Sequence, residues 1–280
     1  MSANVKSTAG HAASGAEQQG REVEQSRAFG ALVMVGLIAY GVVHLLVAWI
    51  ALQLAWTGGG GEASQQGALA QMASSRFGDL LLWITAIGLF ALTLWQIFTA
   101  LWGYSYEKPK KKVFKRLGAA GKAVVYLGIG ISAVTTAAGG GQKKSGNSSE
   151  KSLTAKLLGV PFGKVLVIAV GIAVLVVAGR LIYRGVTKKF THDLEGGVRP
   201  TVVRLGQIGY CAKGIAFGIV GVLFVVAAVT FNPNKAGGLD TALHTLRDQP
   251  FGPVLLTLMA LGIAAFGLYC FAWSRHAKRS

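Results

Sequence analysis

Apolar and polar positions along this chain separate into long blocks instead of alternating. No Asp, Glu, Lys or Arg falls within residues 28–61, 80–106, 123–142, 165–179, 214–234 or 249–274. A helix that crosses a bilayer needs about 20 mostly apolar residues. Five windows reach that length unaided. The fourth, 165–179, is short, but Lys164 and Arg180 bound it, and long cationic side chains can bury their stems and place their charges at the interface. The pattern predicts six membrane-spanning helices, over roughly 29–55, 79–103, 118–138, 163–184, 206–230 and 252–273. Barrel strands are excluded, because they run about 10 residues and alternate strictly. A helix alone satisfies its own backbone in hydrocarbon. The expected fold class is all-α, a polytopic membrane helix bundle.

The second, fourth and sixth spans begin alike, with SRFGDLLL at 75–82, VPFGKVLV at 160–167 and QPFGPVLL at 249–256. Phe77, Phe162 and Phe251 are each followed by a glycine, Gly78, Gly163 and Gly252. Before each step lies a flexible stretch and then a weakly amphipathic piece, with Met72, Leu157 and Leu246 five residues ahead of the Phe. The expectation is a short helix lying on the outer leaflet, a Phe inserted at the interface, and a Gly that permits the turn into the span. Pro161 and Pro250 disfavour continuation of the surface helix.

The odd spans match as well. GLIAYGVVHLL (36–46), GAAGKAVVYLG (118–128) and GYCAKGIAFGI (209–219) align Gly36, Gly118 and Gly209. The same register aligns Tyr40 with Lys122 and Lys213, and His44 with Tyr126 and Phe217. Each repeat contains two spans, so all three enter the membrane in one orientation. Parallel repeats are related by an axis along the membrane normal, here a pseudo-threefold one, and an inverted-repeat transporter is excluded. The repeats occupy 29–103, 118–184 and 206–273, joined by basic linkers over 104–117 and 185–205. Tails cover 1–28 and 274–280. The first tail is rich in Ala, Ser, Gly and Gln without an apolar face, and is expected to be disordered.

Composition agrees with a membrane protein. Of 280 residues, 52% are hydrophobic and 14% charged, with a mean hydropathy of +0.50, against about 25% charged in a soluble domain. The net charge of +17 raises a nucleic-acid partner, and the placement of the charge removes it. Eighteen basic residues fall on the side of the two termini and eight on the other, five of those eight in the second outer loop. The positive-inside rule then places both termini in the cytoplasm of a plasma-membrane protein. Membrane lipids are the expected partners, with anionic headgroups at the cytoplasmic face; an unidentified protein partner is also possible, and no nucleic acid is. Cys211 and Cys270 lie inside spans and are read as packing residues.

Three two-helix repeats also describe the mitochondrial carriers, but their P-x-[DE]-x-x-[KR] signature has no match here. The G-x-x-x-[YK]-[GA] and [PR]-F-G signals resemble bacterial membrane proteins of the domain of unknown function family 1206, which carry that domain three times. The resemblance covers about residues 30–275, with repeat two departing most. It implies six helices in a bacterial plasma membrane. It supplies no activity, so no functional residue is carried over from it.

Four intramembrane residues are functional candidates. His44 lies near the middle of the first span, where ionisable groups are rare and mark functional sites. Its repeat partners are rings, so a simple structural preference for a ring is the leading alternative. Lys122 and Lys213 lie one turn inside the cytoplasmic face, and the default is snorkelling to the headgroups; an inward ring gating a central path is the sharper reading. Arg180 aligns with Trp95 and Tyr269, all three suited to interfacial anchoring. Catalysis has little support. None of the eleven acidic residues sits mid-span, and H-E-x-x-H and C-x-x-C are absent. GVPFGK at 159–164 is one residue short of a P-loop. The chain is therefore expected to be no enzyme and to need no cofactor or metal. Two functions remain: a non-enzymatic envelope or scaffold protein, or permeation of a proton, ion or small solute along the pseudo-threefold axis.

Overall fold

Because hydrocarbon offers the backbone no water, each span has to close its own hydrogen bonds, and helices result. The computed structural model describes residues 27–59, 61–103, 109–139, 146–194 and 198–276. The amino-terminal tail lies outside these apart from its last two residues. Six helices are long and apolar enough to cross a membrane: α1 (Arg27–Thr57), α3 (Gly78–Leu101), α4 (Pro109–Ala137), α6 (Gly163–Val186), α7 (Pro200–Val229) and α9 (Gly252–His276). Three shorter helices, α2 (Gln65–Ala73), α5 (Gly146–Leu158) and α8 (Leu239–Arg247), each precede the second span of a repeat. The span with the shortest charge-free window, α6, is 24 residues long and has the highest mean hydropathy of the six, 2.8. Its helix simply takes in Lys164 and Arg180.

The spans pack as a ring with threefold logic. Its most extensive interfaces are α3 with α4, α6 with α7, and α9 with α1. Each joins the second span of one repeat to the first span of the next, so a threefold rotation exchanges them. Within repeats, α1 packs on α3 and α7 on α9. The corresponding pair in repeat two, α4 and α6, forms no packed interface. The ring is closed except at this one position. Consequently α6 buries few residues, with Gly171 and Gly185 set against α7 and Gly163 set against the end of α5.

Glycine shows why. A Cβ on Gly36 would run into the carbonyl oxygen of Gly88 and lie 2.6 Å from Cγ of Leu92, both on α3. A Cβ on Gly209 would lie 2.6 Å from Cα of Phe266 on α9. Both glycines therefore seat the first span of a repeat against the second, the close approach that membrane helices use in place of hydrophobic burial. Their equivalent, Gly118, would meet nothing nearer than Nη1 of Arg180, at 4.0 Å.

The Phe-Gly step works differently from the expectation. The left-handed backbone falls on the aromatic residue, with φ of 63° at Phe162 and 60° at Phe251, whereas Phe77 has φ of −113°. None of the three glycines that follow has a positive φ. Gly78 is needed for space, since its Cβ would stand 2.6 Å from the carbonyl oxygen of Met72, and Gly163 and Gly252 likewise press against the carbonyls of Leu157 and Arg247. The three phenylalanines project outward, 67–84% exposed.

The short helices also depart from the expected surface position. Ser64 caps α2 by accepting from the N–H of Gly67 at 3.1 Å, and Ala68, Leu69 and Met72 turn inward against the spans instead of toward lipid. Each of α2 and α8 reaches over to the first span of the following repeat, α4 and α1 respectively. In repeat two, α5 rests on α6 and on the 3-10 turn Pro233–Lys235 of repeat three, and does not pack on α4. The short helices thus form a cap across one end of the ring, opposite the face that carries the termini.

The glycine triplet gives a direct test. Gly36→Ala and Gly209→Ala should each cost about 1–3 kcal/mol through overpacking, read as a lower thermal unfolding midpoint of the detergent-purified protein. Gly118→Ala should leave the midpoint unchanged.

Candidate functional site

The first spans of the three repeats bring Tyr40, Tyr126 and Lys213 together at the centre of the ring. Lys213 reaches from α7 toward α1, where its ammonium donates to the Tyr40 hydroxyl at 3.0 Å. It also stands 3.2 Å from Nε2 of His44. Nδ1 of His44 lies 2.8 Å from the Tyr40 carbonyl oxygen, which only accepts. The imidazole therefore carries its proton on Nδ1 and presents Nε2 as an acceptor to the lysine. The ammonium further sits 3.9 Å from the centroid of Phe266, over the ring face, where the aromatic quadrupole attracts a cation. A hydroxyl, an imidazole and a ring thus stabilise the charge. Among the described residues no carboxylate forms an ion pair with Lys213.

Rings fill the space around this group. Tyr40 meets His44 at 4.3 Å and Tyr126 at 5.1 Å between centroids, both edge-on. His44 lies 4.9 Å from Phe266. Toward the terminal face, Tyr210 packs edge-on against Phe266 at 5.3 Å, and Phe190 stacks on Tyr210 at 5.2 Å with a 17° interplanar angle. Phe190 belongs to a 3-10 turn, Lys189–Asp193, in the basic linker, and it is completely buried. The same turn brings Asp193 to Arg184, whose guanidinium pairs with the carboxylate and lies 5.3 Å from the Tyr210 centroid.

The sequence candidates divide between two places. His44 is buried and Lys213 points inward, so the snorkelling expected of Lys213 does not occur. Phe217, aligned with His44 and Tyr126, makes no ring contact among the described residues; the group that converges combines His44 and Tyr126 with Tyr40 and Lys213 from the register four residues earlier. Lys122 stands apart from them, with Asp193, Arg184 and Arg180 as its charged neighbours. The anchor triplet does not hold as a set: Arg180 is exposed, Trp95 half-buried and Tyr269 completely buried. The Tyr269 hydroxyl and the Trp273 indole N–H are buried without a hydrogen-bond partner.

A second polar cluster, missed by the sequence reading, lies within the cap. It gathers one carboxylate from each outer loop, Glu62, Glu150 and Asp240, around a small polar cavity also lined by Ser64, Gln65 and Gly238. Asp240 accepts from the N–H of Ala63 at 2.8 Å, tying repeat three to repeat one. Glu150 accepts from the N–H of Gly238 and lies so close that a Cβ there would collide with its carboxylate. Burial, then the charges of Glu62 and Asp240, push the Glu150 carboxyl up from 4.5 to about 7, against the pull of the Gly238 N–H. An acidic residue in each outer loop, fifteen, twelve and eleven residues before its Phe, was the available signal.

Two experiments follow from these contacts. His44→Phe removes an acceptor from a buried ammonium and should destabilise by about 1–3 kcal/mol. Adding Lys213→Met should recover most of that loss, because a buried charge replaced by an apolar side chain is tolerated; a thermal-unfolding double-mutant cycle measures the coupling. For Glu150, a folded value above the unfolded one means that its stabilising contribution is complete below about 4.5 and is lost as pH rises through about 7. Amides of α5 should therefore exchange faster at pH 8 than at pH 5 after correction for intrinsic rates, and Glu150→Gln should abolish that difference.

Comparison with known proteins agrees with the repeat boundaries. The model of the Domain of Unknown Function DUF1206 matches three times, over residues 35–103, 117–188 and 208–277. Each match contains two spans and the short helix between them. The chain is also similar to "Uncharacterized protein YxxB" of Bacillus subtilis (strain 168), 28% identical over 241 residues, which is 84% of this chain and 86% of that one. No solved structure matches. With three matched segments that together cover well over half its length, this chain belongs to the DUF1206 family.

Proposed function

We propose that this is a non-enzymatic, multi-pass protein of the bacterial plasma membrane that holds a lipid or a protein partner, with both termini in the cytoplasm. The observation that carries this reading is the occupied centre of the ring. A conduit along the pseudo-threefold axis would need that space, and Tyr40, Tyr126, His44, Lys213 and Phe266 contact one another across it. Toward the terminal face the layer of Tyr210, Phe190 and Tyr269 continues the filling. The orientation is supported by the excess of basic residues on the terminal side.

Permeation of a proton, ion or small solute is the competing reading. The contact between Lys213 and His44 favours it, because both groups exchange protons. The discriminating measurement is flux through proteoliposomes, for protons and small ions, with wild type beside His44→Phe. The expected result is that wild-type vesicles are as tight as protein-free ones. A proton flux present in wild type and lost in a folded His44→Phe variant would replace the scaffold reading with permeation and give His44 the central role.

A further inference from the structure

The open position in the ring has a chemistry of its own. In repeats one and three the first and second spans meet through small residues, Gly36 with Gly88 and Ala212 with Gly262. Counting eleven residues from each Phe-Gly phenylalanine aligns Gly88 and Gly262 with Ala173 of α6. Ala173 is exposed, and Gly118 of α4, aligned with Gly36, has nothing but Arg180 near its missing side chain. The two surfaces that close the other hairpins therefore stand apart here, as the walls of a cleft that opens sideways. Val125 and Val176, whose counterparts Val43 and Ala91 in repeat one are buried, are here 53% and 66% exposed.

Cations gather at the terminal-side end of this cleft. The Arg180 guanidinium reaches across from α6 to Gly118 of α4. Lys122 on α4 has Asp193, Arg184 and Arg180 as its charged neighbours. Among the described residues the carboxylate beside these three cations is Asp193, and it is paired with Arg184. Neither Lys122 nor Arg180 has a hydrogen bond or ion pair among the described residues. Arg180 lies six residues before the end of α6, about 9 Å along the helix, within reach of the interface for a long side chain.

We propose that the α4–α6 cleft is a binding site for an anionic phospholipid, its phosphate on Lys122 and Arg180 and an acyl chain along Val125, Ala173 and Val176. The proposal rests on the scaffold reading and names its partner. The occupant follows from the surroundings. A gap between spans that opens into a bilayer is filled by acyl chains, because water finds no partners along walls of valine and alanine. Cations that have no ion pair among the described residues select a negative headgroup, as basic pockets between spans do. A second copy of this chain would bring the same cations into contact with their like, which disfavours it as the occupant.

The test uses the full chain, purified in neutral detergent and given equimolar phosphatidylglycerol and phosphatidylcholine of the same acyl composition. Retained lipid is read by native mass spectrometry. The wild type should retain phosphatidylglycerol preferentially, and each of Lys122→Gln and Arg180→Gln should weaken that preference about fivefold. Lys188→Gln with Arg199→Gln removes two exposed cations from the same face and should leave it unchanged. Should the cleft variants fail to fold, Gly118→Leu keeps every charge, points into open space and should expel the lipid. Equal retention of the two lipids, equal loss in the Lys188/Arg199 control, or a second protein chain retained in place of lipid would overturn the proposal. Any of these results from vesicles that remain tight leaves the scaffold reading standing, whereas ion flux removes that reading independently.

Discussion

In hydrocarbon a helix gains little by hiding apolar side chains, so the arrangement of these spans depends on how closely their backbones can approach. That constraint is met at glycine. Gly36 against Gly88 and Gly41 against Gly267 bring α1 onto α3 and α9, while Gly171 against Gly221 brings α6 onto α7. Elsewhere the outer surface carries large exposed side chains such as Leu80, Trp83 and Ile87, which suit lipid and fix no neighbour. Packing at a few small residues thus decides which helices touch, and the charged and aromatic groups are placed as a consequence.

Repeat two shows what happens when one such contact is not made. The same register that puts Tyr40 and Lys213 at the centre puts Lys122 on α4. Without the α4–α6 interface, Lys122 joins Arg180 and Arg184 instead of the central rings. The central group is consequently asymmetric, with Tyr126 and Lys213 from the other first spans around Tyr40 and no second cation. Threefold symmetry in the sequence is therefore a scaffold on which the three positions acquire different surroundings. A second ammonium at the centre would add like-charge repulsion beside Lys213, which has no carboxylate partner among the described residues.

Much of this was legible in the residues. Charge-free windows gave the six spans, and the Phe-Gly steps marked where the second span of each repeat begins. The aligned glycines carried the pseudo-threefold relation, because their spacing reflects helix contacts. Which of the three would be in contact was not legible, since Gly118 looks like Gly36 and Gly209 in sequence and differs only in what α6 does opposite it. His44 was visible as a buried ionisable group, but its acceptor role depends on Lys213 turning inward, a choice of side-chain direction that composition does not encode. Phe190 was hidden within a basic linker. Its burial depends on the linker folding back over Tyr210, a long-range contact that local pattern does not reveal.

The distribution of charge along the axis adds a physical argument to the scaffold reading. Glu62, Glu150 and Asp240, one from each repeat, gather within the cap at one end of the ring. At the centre stands Lys213, an ammonium with no carboxylate partner among the described residues. An anion entering from the cap would first meet carboxylates. A cation would meet the ammonium in a region of low dielectric, where like charges repel far more strongly than in water. Either sign of ion is opposed at one of the two levels. A neutral solute would still have to displace Tyr40 and Phe266 from their contacts with the ammonium and so leave Lys213 without its ring partners. The same arrangement suits a protein that stays closed along its axis and offers its cations sideways, at the one place where the ring does not close.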